Sequence, residues 1–199
     1  MVAFDLGGVL LDWDPRHLYR TLFEDEAAME EFLASVCTPA WNDALDRGRP
    51  FAEAVAELGE RFPDSAELVI AFHERWPEMV RDEIDGSVDV VGELRAAGVP
   101  TYLLSNASAE TWPHALERFG FLGEFDGVLL SGEVGVAKPD PEIFEELCRR
   151  FDLLPGTTLF VDDKAGNVHA AQRLGFHGHH FLGAEGLRAE LVRLGLLAA

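Results

Sequence analysis

Several short apolar runs in this chain are followed at once by polar residues whose types could do chemistry together. The runs are residues 2–4 before Asp5, 102–104 before Ser105 and Asn106, 135–137 before Lys138, and 159–161 before Asp162 and Asp163. An aspartate can attack phosphorus to form an acyl phosphate, which water then cleaves. Mg²⁺ prefers oxygen ligands and bridges carboxylates to a phosphate group. Asp5 is therefore a candidate nucleophile, and Asp5, Asp162 and Asp163 are candidate ligands of Mg²⁺.

The remaining two segments offer groups that could hold the phosphate. The Ser105 hydroxyl and the amides beside it can donate hydrogen bonds to phosphoryl oxygens, and Lys138 can neutralise the charge that develops on them. We therefore expect Ser105 and Lys138 to be catalytic, and Ser105, Asn106 and Lys138 to bind phosphate, with Asn106 also orienting its loop. Taken alone, Ser105 and Asn106 could instead cap a helix, and adjacent aspartates could form a surface turn.

In their order along the chain, the four segments resemble the motifs of the haloacid dehalogenase-like hydrolases, most of which are phosphatases. The resemblance implies that the carbonyl of Gly7 is a metal ligand, together with Asp5. It implies that Asp163 is the direct carboxylate partner of Asp5, that Asp162 is a direct or water-mediated ligand, and that Asn167 supports the metal loop. The expected activity is that of a magnesium-dependent phosphatase acting through an aspartyl-phosphate on a small metabolite.

One position departs from the family pattern. Most phosphatases of this family carry a second aspartate two residues after the nucleophile, where it protonates the leaving group and later activates water, but here that position is Gly7. Such assistance is typically worth about 10² to 10⁴ in rate. Asp12 could substitute for it, or the substrate could need less help, as a sugar 1-phosphate or an acyl phosphate would. The chain also resembles a bacterial subgroup with Asp-x-Gly-x-Val here, which includes a glucose-1-phosphate phosphatase.

Two other functions remain open at this point. A member that has lost catalysis could still bind ligands. The metal-independent 2-haloacid dehalogenases of the same family displace halide, a leaving group that needs no proton. Those enzymes typically have serine where this chain has Asp162, and two extra carboxylates would repel the carboxylate of a haloacid.

The elements that must position these residues alternate in type. From about residue 87 onward, helical patterns alternate with apolar runs at 99–104, 127–130, 158–161 and 177–181. This alternation predicts an α/β fold, a Rossmann-like core with a parallel sheet and helices on both faces. In such a sheet, ligands gather at the carboxyl ends of the strands, where Asp5, Ser105 and Asp162 would meet.

The segment between the first strand and this alternating region has a helical pattern. Met29, Phe32, Leu33 and Val36 follow helical spacing, and the same holds for residues 51, 54, 55 and 58. We expect a discontinuous core formed by residues 1–14 and 86–199, with residues 15–85 inserted as an α-helical cap. A cap that closes over the site would exclude water and favour small metabolites.

Composition limits the partners. The 199 residues include 36 acidic and 16 basic ones, for a formal net charge of −20, which disfavours nucleic acid and anionic membranes. No apolar run reaches the length of a membrane span, and the two cysteines are far apart in sequence. We expect a cytoplasmic protein that binds a small phosphorylated metabolite.

Overall fold

The computed structural model describes residues 1–198 and contains a five-stranded parallel sheet. The strand order is β5-β4-β1-β6-β7, and a separate antiparallel pair joins β2 and β3. The strands are β1 (Val2–Phe4), β2 (Leu11–Trp13), β3 (Val80–Glu83), β4 (Thr101–Ser105), β5 (Gly127–Leu130), β6 (Leu159–Asp162) and β7 (His177–His180). The predicted α/β class and parallel sheet are confirmed.

The described residues form eleven α-helices. They are α1 (Pro15–Tyr19), α2 (Glu26–Ser35), α3 (Pro39–Asp46), α4 (Phe51–Arg61), α5 (Ala66–Glu74), α6 (Ser87–Ala96), α7 (Trp112–Arg118), α8 (Ser131–Val134), α9 (Pro141–Phe151), α10 (Ala165–Arg173) and α11 (Ala184–Arg193). Short 3₁₀ turns lie at Pro63–Ser65, Trp76–Met79, Gly120–Glu124 and Pro155–Thr157. In this part of the chain, no helix combines the length and apolarity needed to cross a bilayer.

The central strand β1 fixes the register of the sheet. Phe4 pairs with Leu103 on one side and with Val161 on the other. Since every residue of β1 is fully buried, the strand needs apolar side chains on both faces, as parallel strands covered by helices do. The backbone N–H of Asp5 still donates to the carbonyl of Val161 at 2.8 Å, so the chain leaves the sheet at Asp5.

Alternate residues of the strands contribute to different hydrophobic cores. One face of the sheet contributes Phe4 and Leu103 to a core shared with α6 and α11. The other face contributes Ala3 and Phe160 to a core shared with α9 and α10. The helices α1 to α5 pack around a third core of their own, which includes Tyr19, Met29, Leu45 and Phe72.

The helical segment begins and ends at the antiparallel pair of β2 and β3. Trp13 pairs with Val80, and Leu11 pairs with Glu83. The sequence did not predict β3, because three of its four residues are exposed and polar and show no apolar alternation. The apolar run 135–137 is also not a strand: α8 precedes it, and Gly135 ends that helix with a φ of 76°.

Capping residues fix the start of the helices nearest the site. The Asp14 carboxylate accepts a hydrogen bond from the backbone N–H of Arg16 at 2.9 Å, as its position before Pro15 predicts. Thr38 caps α3 in the same way by accepting from the Trp41 N–H at 3.1 Å. The helix α3 then runs to Asp46, its last residue, which lies close to the carboxyl edge of the sheet.

Substitution of Gly127 tests how tightly the sheet is packed at the edge strand β5. A Cβ at this position would lie 2.4 Å from the Phe151 ring, which itself packs on Tyr102 of β4 with centroids 5.4 Å apart. We expect Gly127→Ala to lower the free energy of unfolding by about 1–3 kcal/mol, the usual cost of overpacking. Gly123→Ala is the control, since nothing lies within 4 Å of its added Cβ. Urea denaturation of both variants measures the difference, and equal stabilities would contradict this packing.

Candidate active site

A buried lysine joins two of the aspartates that follow the strands. The Lys138 ammonium lies 2.7 Å from Asp5 Oδ1 and 2.8 Å from Asp162 Oδ2. It also donates to the carbonyl of Leu104 at 2.8 Å, so it spans the ends of β4, β1 and β6. The side chains of Lys138 and Asp162 are 1% and 0% exposed, which leaves the three charges dependent on one another for compensation.

The two oxygens of Asp5 have different surroundings. Oδ1 contacts Lys138 and also accepts the backbone N–H of Leu6 at 2.7 Å. Oδ2 takes part in neither contact. The carboxylate is therefore fixed in orientation by one oxygen, and the other is left for a ligand or for attack.

Asp162 makes a full set of contacts with the protein. Its Oδ1 accepts the backbone N–H of Lys164 at 2.8 Å, and the Asn167 amide lies 3.0 Å from both carboxylate oxygens. With Lys138 as the fourth contact, its lone pairs are largely used. This geometry makes Asp162 a residue that positions Lys138 and Asn167 and leaves little capacity for direct metal ligation.

Asp163 has the opposite arrangement. Its Oδ1 is buried and has no hydrogen-bond partner among the described residues, and its carboxylate lies against Gly8. Carboxylate oxygens of Asp5, Asp162 and Asp163 can all be found within 4.8 Å of one another. An unpaired buried oxygen beside the Asp5 carboxylate, in a set made only of hard oxygen donors, fits a Mg²⁺ ion.

Asn106 and Ser105 hold different positions around Lys138. The Asn106 side chain donates to the Lys138 carbonyl at 2.9 Å and accepts the Lys138 N–H at 2.8 Å, so it clamps the backbone that carries the lysine. The structure therefore uses both ends of this amide for positioning. Ser105, at the end of β4, is 3% exposed and lines the cavity described below.

Burial and mutual charge shift the protonation of this cluster. Burial raises the pKa of Asp5 to about 7, an effect that Lys138 opposes and Asp162 increases. For Lys138, burial lowers the pKa, but Asp5 and Asp162 more than compensate, so its pKa is raised and the ammonium persists. Burial and Asp162 also raise the pKa of Asp163. Such shifts are typical of residues that act in catalysis or bind a cation.

The cluster opens into one cavity of about 780 Å³ between the sheet edge and the helical segment. Lys138 and Lys164, the only lysines of this strongly acidic chain, both line it. Its wall on the helical side includes apolar and polar side chains, namely Leu33, Asn42, Asp43, Asp46, Phe51, Phe72 and Trp76. The cavity therefore combines a floor of lysines and aspartates with a mixed wall, an arrangement that with a bound cation suits an anionic group on a small polar body.

Neither Asp12 nor Gly7, the two positions near β1 considered for the general acid, places a carboxylate in the cavity. Asp12 is not part of the cavity lining: it alternates with Leu11 and Trp13, which do line it, and its carboxylate lies 3.1 Å from His17 Nε2. Gly7 lines the cavity without a side chain. The structure thus brings Asp5, Ser105, Lys138 and Asp163 to the cavity and leaves Asp12 outside it.

Sequence reasoning missed the cavity residues of the helical segment. Asp46 and Asn42 lie on α3, and Arg16 on α1 binds Glu30 through two contacts of 2.5 and 2.7 Å at the cavity wall. None of them stands in a local pattern that marks a site. Only the packing of this segment over the sheet edge brings them to the cavity.

Comparisons with known proteins agree with this geometry. The family model described as haloacid dehalogenase-like hydrolase matches residues 1–175. D-ribitol-5-phosphate phosphatase of Bacteroides thetaiotaomicron is 43% identical over 185 residues, which cover 88% of each chain. (S)-2-haloacid dehalogenase 1 of Pseudomonas sp. is 31% identical over 137 residues, 68% of this chain and 55% of that protein, so this chain spans about half its length.

A similar structure has also been solved with ligands. A HAD family enzyme from Bacteroides thetaiotaomicron, in complex with magnesium and inorganic phosphate, superposes with a TM-score of 0.69 and is 26% identical. The match covers 89% of this chain and 91% of the other.

Lys138→Met tests the charge balance of the cluster. Removing the cation leaves buried carboxylates unpaired, so we expect the free energy of unfolding to fall by about 3–5 kcal/mol. Since Lys138 lowers the pKa of Asp5, its loss moves that pKa above about 7, well above the ordinary aspartate value of 3.8. A folded state that binds more protons than the unfolded state loses stability as pH rises, so the deficit relative to wild type should grow through pH 7.

The control for this variant is Arg188→Met. Arg188 pairs with Glu93 at 2.9 Å, but both side chains are 42% exposed, so its loss should cost no more than about 1 kcal/mol at any pH. Chemical denaturation over a range of pH measures both. A Lys138→Met deficit that is small or independent of pH would contradict the pairing.

Gly8→Ala tests the position of the Asp163 carboxylate. An added Cβ would lie 2.6 Å from Asp163 Oδ2, so the carboxylate would have to move. We expect Mg²⁺ affinity, measured by calorimetry, to fall by about 10- to 100-fold, as when support around a metal ligand is disturbed. Gly98→Ala is the matched control: its φ of 71° resembles the 75° of Gly8, but its Cβ would meet nothing within 4 Å. Equal Mg²⁺ affinity of the two variants would exclude Asp163 as a ligand.

Proposed function

The chain belongs to the haloacid dehalogenase-like hydrolases, and we propose that it is a magnesium-dependent phosphatase that hydrolyses a phosphate monoester of a small metabolite. The observation that supports this most directly is the Lys138 ammonium held between Asp5 and Asp162, beside the unpaired oxygen of Asp163. It combines a fixed nucleophile, a positive charge and an oxygen site for a cation. The relatives that are phosphatases make this chemistry the simplest use of that arrangement.

Each residue has a defined part in the proposed reaction. Asp5 attacks phosphorus through Oδ2 while Oδ1 stays bound to Lys138 and to the Leu6 N–H. Ser105 donates to a phosphoryl oxygen, and Lys138 balances the charge on the phosphoryl group as it transfers. When bound by Asp5, Asp163 and the Gly7 carbonyl, Mg²⁺ would supply the charge that lets a phosphate approach several carboxylates.

Asn106 and Asp162 act through Lys138 in this proposal. Asn106 fixes the lysine backbone, and Asp162 fixes its ammonium. Asn106 contributes to phosphate binding by this route, and Asp162 supports the metal site without being its main ligand. Their effect is to hold the positive charge where the phosphate must bind, which lowers the reorganisation needed in the transition state.

The substrate class follows from the cavity. A volume of about 780 Å³ suits a small metabolite, and the helical segment 15–85 would act as a cap that excludes larger phosphorylated molecules. Asn42 and Asp43 could bind hydroxyls, and Trp76 and Phe72 offer apolar faces. A sugar or polyol phosphate fits this mixture, and D-ribitol 5-phosphate, which gives one relative its name, is the first compound to test.

A metal-independent 2-haloacid dehalogenase is the second candidate, because one relative has that activity in its name. Asp162 and Asp163 weigh against it. Both lie within 4.8 Å of Asp5, where their charges would repel the carboxylate of a haloacid. Release of chloride from 2-chloropropionate in the presence of a chelator would favour the dehalogenase.

Asp5→Asn tests the phosphatase directly. We expect wild type to hydrolyse at least one member of a panel of sugar, polyol and aryl phosphates with Mg²⁺, and to lose this activity with chelator. Asp5→Asn should reduce the activity to background, because an amide cannot form the acyl phosphate. Asp152→Asn makes the same chemical change at an exposed aspartate and should match wild type. Phosphate release is the measurement, and activity that survives Asp5→Asn, or is absent on every ester, would refute the proposal.

A further inference from the structure

The proposed phosphatase lacks a proton donor two residues after its nucleophile, at Gly7. Cleavage of an alkyl phosphate produces an alkoxide that needs a proton, and water must later lose one to cleave the aspartyl-phosphate. Gly7 has no side chain, and Asp12 lies outside the cavity with its carboxylate on His17. Another group that lines the cavity must provide the proton, or turnover of such esters would be slow.

Most carboxylates around the cavity are already committed to other contacts. Asp14 caps α1, and Glu30 is bound by Arg16 through both its oxygens, which lowers the pKa of Glu30. Asp43 forms an exposed ion pair with Arg47 at 2.9 Å. Each of these three carboxylates thus already has a cationic or N–H partner.

Asp46 is different in its contacts. Its Oδ2 accepts the Asn42 amide at 2.9 Å, and no cation binds either oxygen within 4.0 Å among residues 1–198. It lines the same cavity as Asp5 from the opposite, helical side. A carboxyl group with a single neutral partner can be protonated without breaking an ion pair.

The end of α3 that carries Asp46 is held against α8 and the loop that follows Lys138. Ser131 donates its hydroxyl proton to the Asp46 carbonyl, and Arg47 reaches across to Asp140 at 2.7 Å. Gly48 follows, with its Cα so close to the Gly132 carbonyl that a Cβ would lie 2.7 Å from it. The backbone of Asp46 is thus held against α8 and the loop that carries Lys138, and a proton donor to the reacting group requires such fixed placement.

The surroundings of Asp46 favour its neutral form near neutral pH. Burial raises the pKa of Asp46 to about 7, and the charges of Asp43 on its own helix and of Asp5 across the cavity raise it further. Lys164, which follows β6, and Asn42 oppose this rise. A pKa close to the working pH is the most effective value for a group that must both give and take a proton.

We propose that Asp46 is the general acid and base of this site and replaces the carboxylate that Gly7 lacks. In the first step, Asp5 bonds to phosphorus, the bond from phosphorus to the leaving oxygen breaks, and the Asp46 proton moves to that oxygen. In the second step, the Asp46 carboxylate takes a proton from water, whose oxygen bonds to phosphorus as the bond to Asp5 breaks. Asp46 is then protonated again, and inorganic phosphate is released.

This inference rests on the proposed phosphatase function, and leaving-group dependence tests it separately. Asp46→Asn keeps an oxygen that can accept the Asn42 amide but cannot donate an acidic proton. For D-ribitol 5-phosphate, or a faster alkyl ester from the panel, we expect kcat/KM to fall by about 10² to 10⁴. With p-nitrophenyl phosphate, whose leaving group needs no proton, the first turnover should be nearly as fast as in wild type. Slow later turnovers should leave phosphate on Asp5, visible by intact-protein mass spectrometry.

The pH profile gives an independent readout. Because Asp46 must be protonated in the first step, its titration should make wild-type activity on the alkyl ester fall on the alkaline side of about pH 7, whereas Asp5 must be ionised to attack and limits the activity on the acid side. The residual activity of Asp46→Asn should lack this fall. Asp46→Ser is a second variant that removes the acid with a smaller side chain, and it should behave in the same way.

Several outcomes would overturn the inference. If Asp46→Asn loses first-turnover activity equally on the alkyl and aryl esters, Asp46 has a structural role only. If Asp12→Asn loses activity on the alkyl ester but not on the aryl ester, and Asp46→Asn is unaffected, the acid is Asp12. If wild type hydrolyses no ester at all, the phosphatase proposal itself fails, whereas an active wild type matched by Asp46→Asn refutes only the role of Asp46.

Discussion

The site depends on a single buried cation. The Lys138 ammonium is 1% exposed and contacts two carboxylates and one carbonyl at 2.7 to 2.8 Å, at the ends of three neighbouring strands. A charge in this position would be unfavourable without Asp5 and Asp162, and their charges would be unfavourable without it. The alignment of β1, β4 and β6 is what brings all three together. The geometry of the site and the packing of the sheet edge therefore depend on each other.

This arrangement divides the oxygens of the cluster into two kinds. Both carboxylate oxygens of Asp162, and Oδ1 of Asp5, are occupied by contacts within the protein. In contrast, Oδ1 of Asp163 has no partner among the described residues. The occupied oxygens make the cluster rigid, and the unoccupied ones give it a place for a cation. Rigid placement of charge before the substrate arrives is the main way that a protein stabilises a transition state of this kind.

The sequence predicts the sheet-edge half of the cavity far better than the helical half. Asp5 follows β1 directly, Ser105 and Asp162 end β4 and β6, and the carboxyl ends of parallel strands must share one edge. Lys138 was expected after a strand but comes from the loop behind α8, where Asn106 clamps its backbone. Asp46 ends an ordinary amphipathic helix, and no local spacing distinguishes it from other acidic helix residues. Its approach to Asp5 arises only from packing between segments distant in sequence.

An acid on α3 links the chemistry to the way the helical segment is seated. The raised pKa of Asp46 comes first from burial, at an end of α3 that Ser131 of α8 and the Arg47–Asp140 pair hold in place. If α3 moved away, Asp46 would be solvated, its pKa would return towards 3.8, and it would lose its proton at neutral pH. If Asp5 and Asp46 act as we propose, the nucleophile and the acid lie on opposite sides of one cavity, and cleavage would require α3 to be seated as it is in this structure, where bulk water is partly excluded.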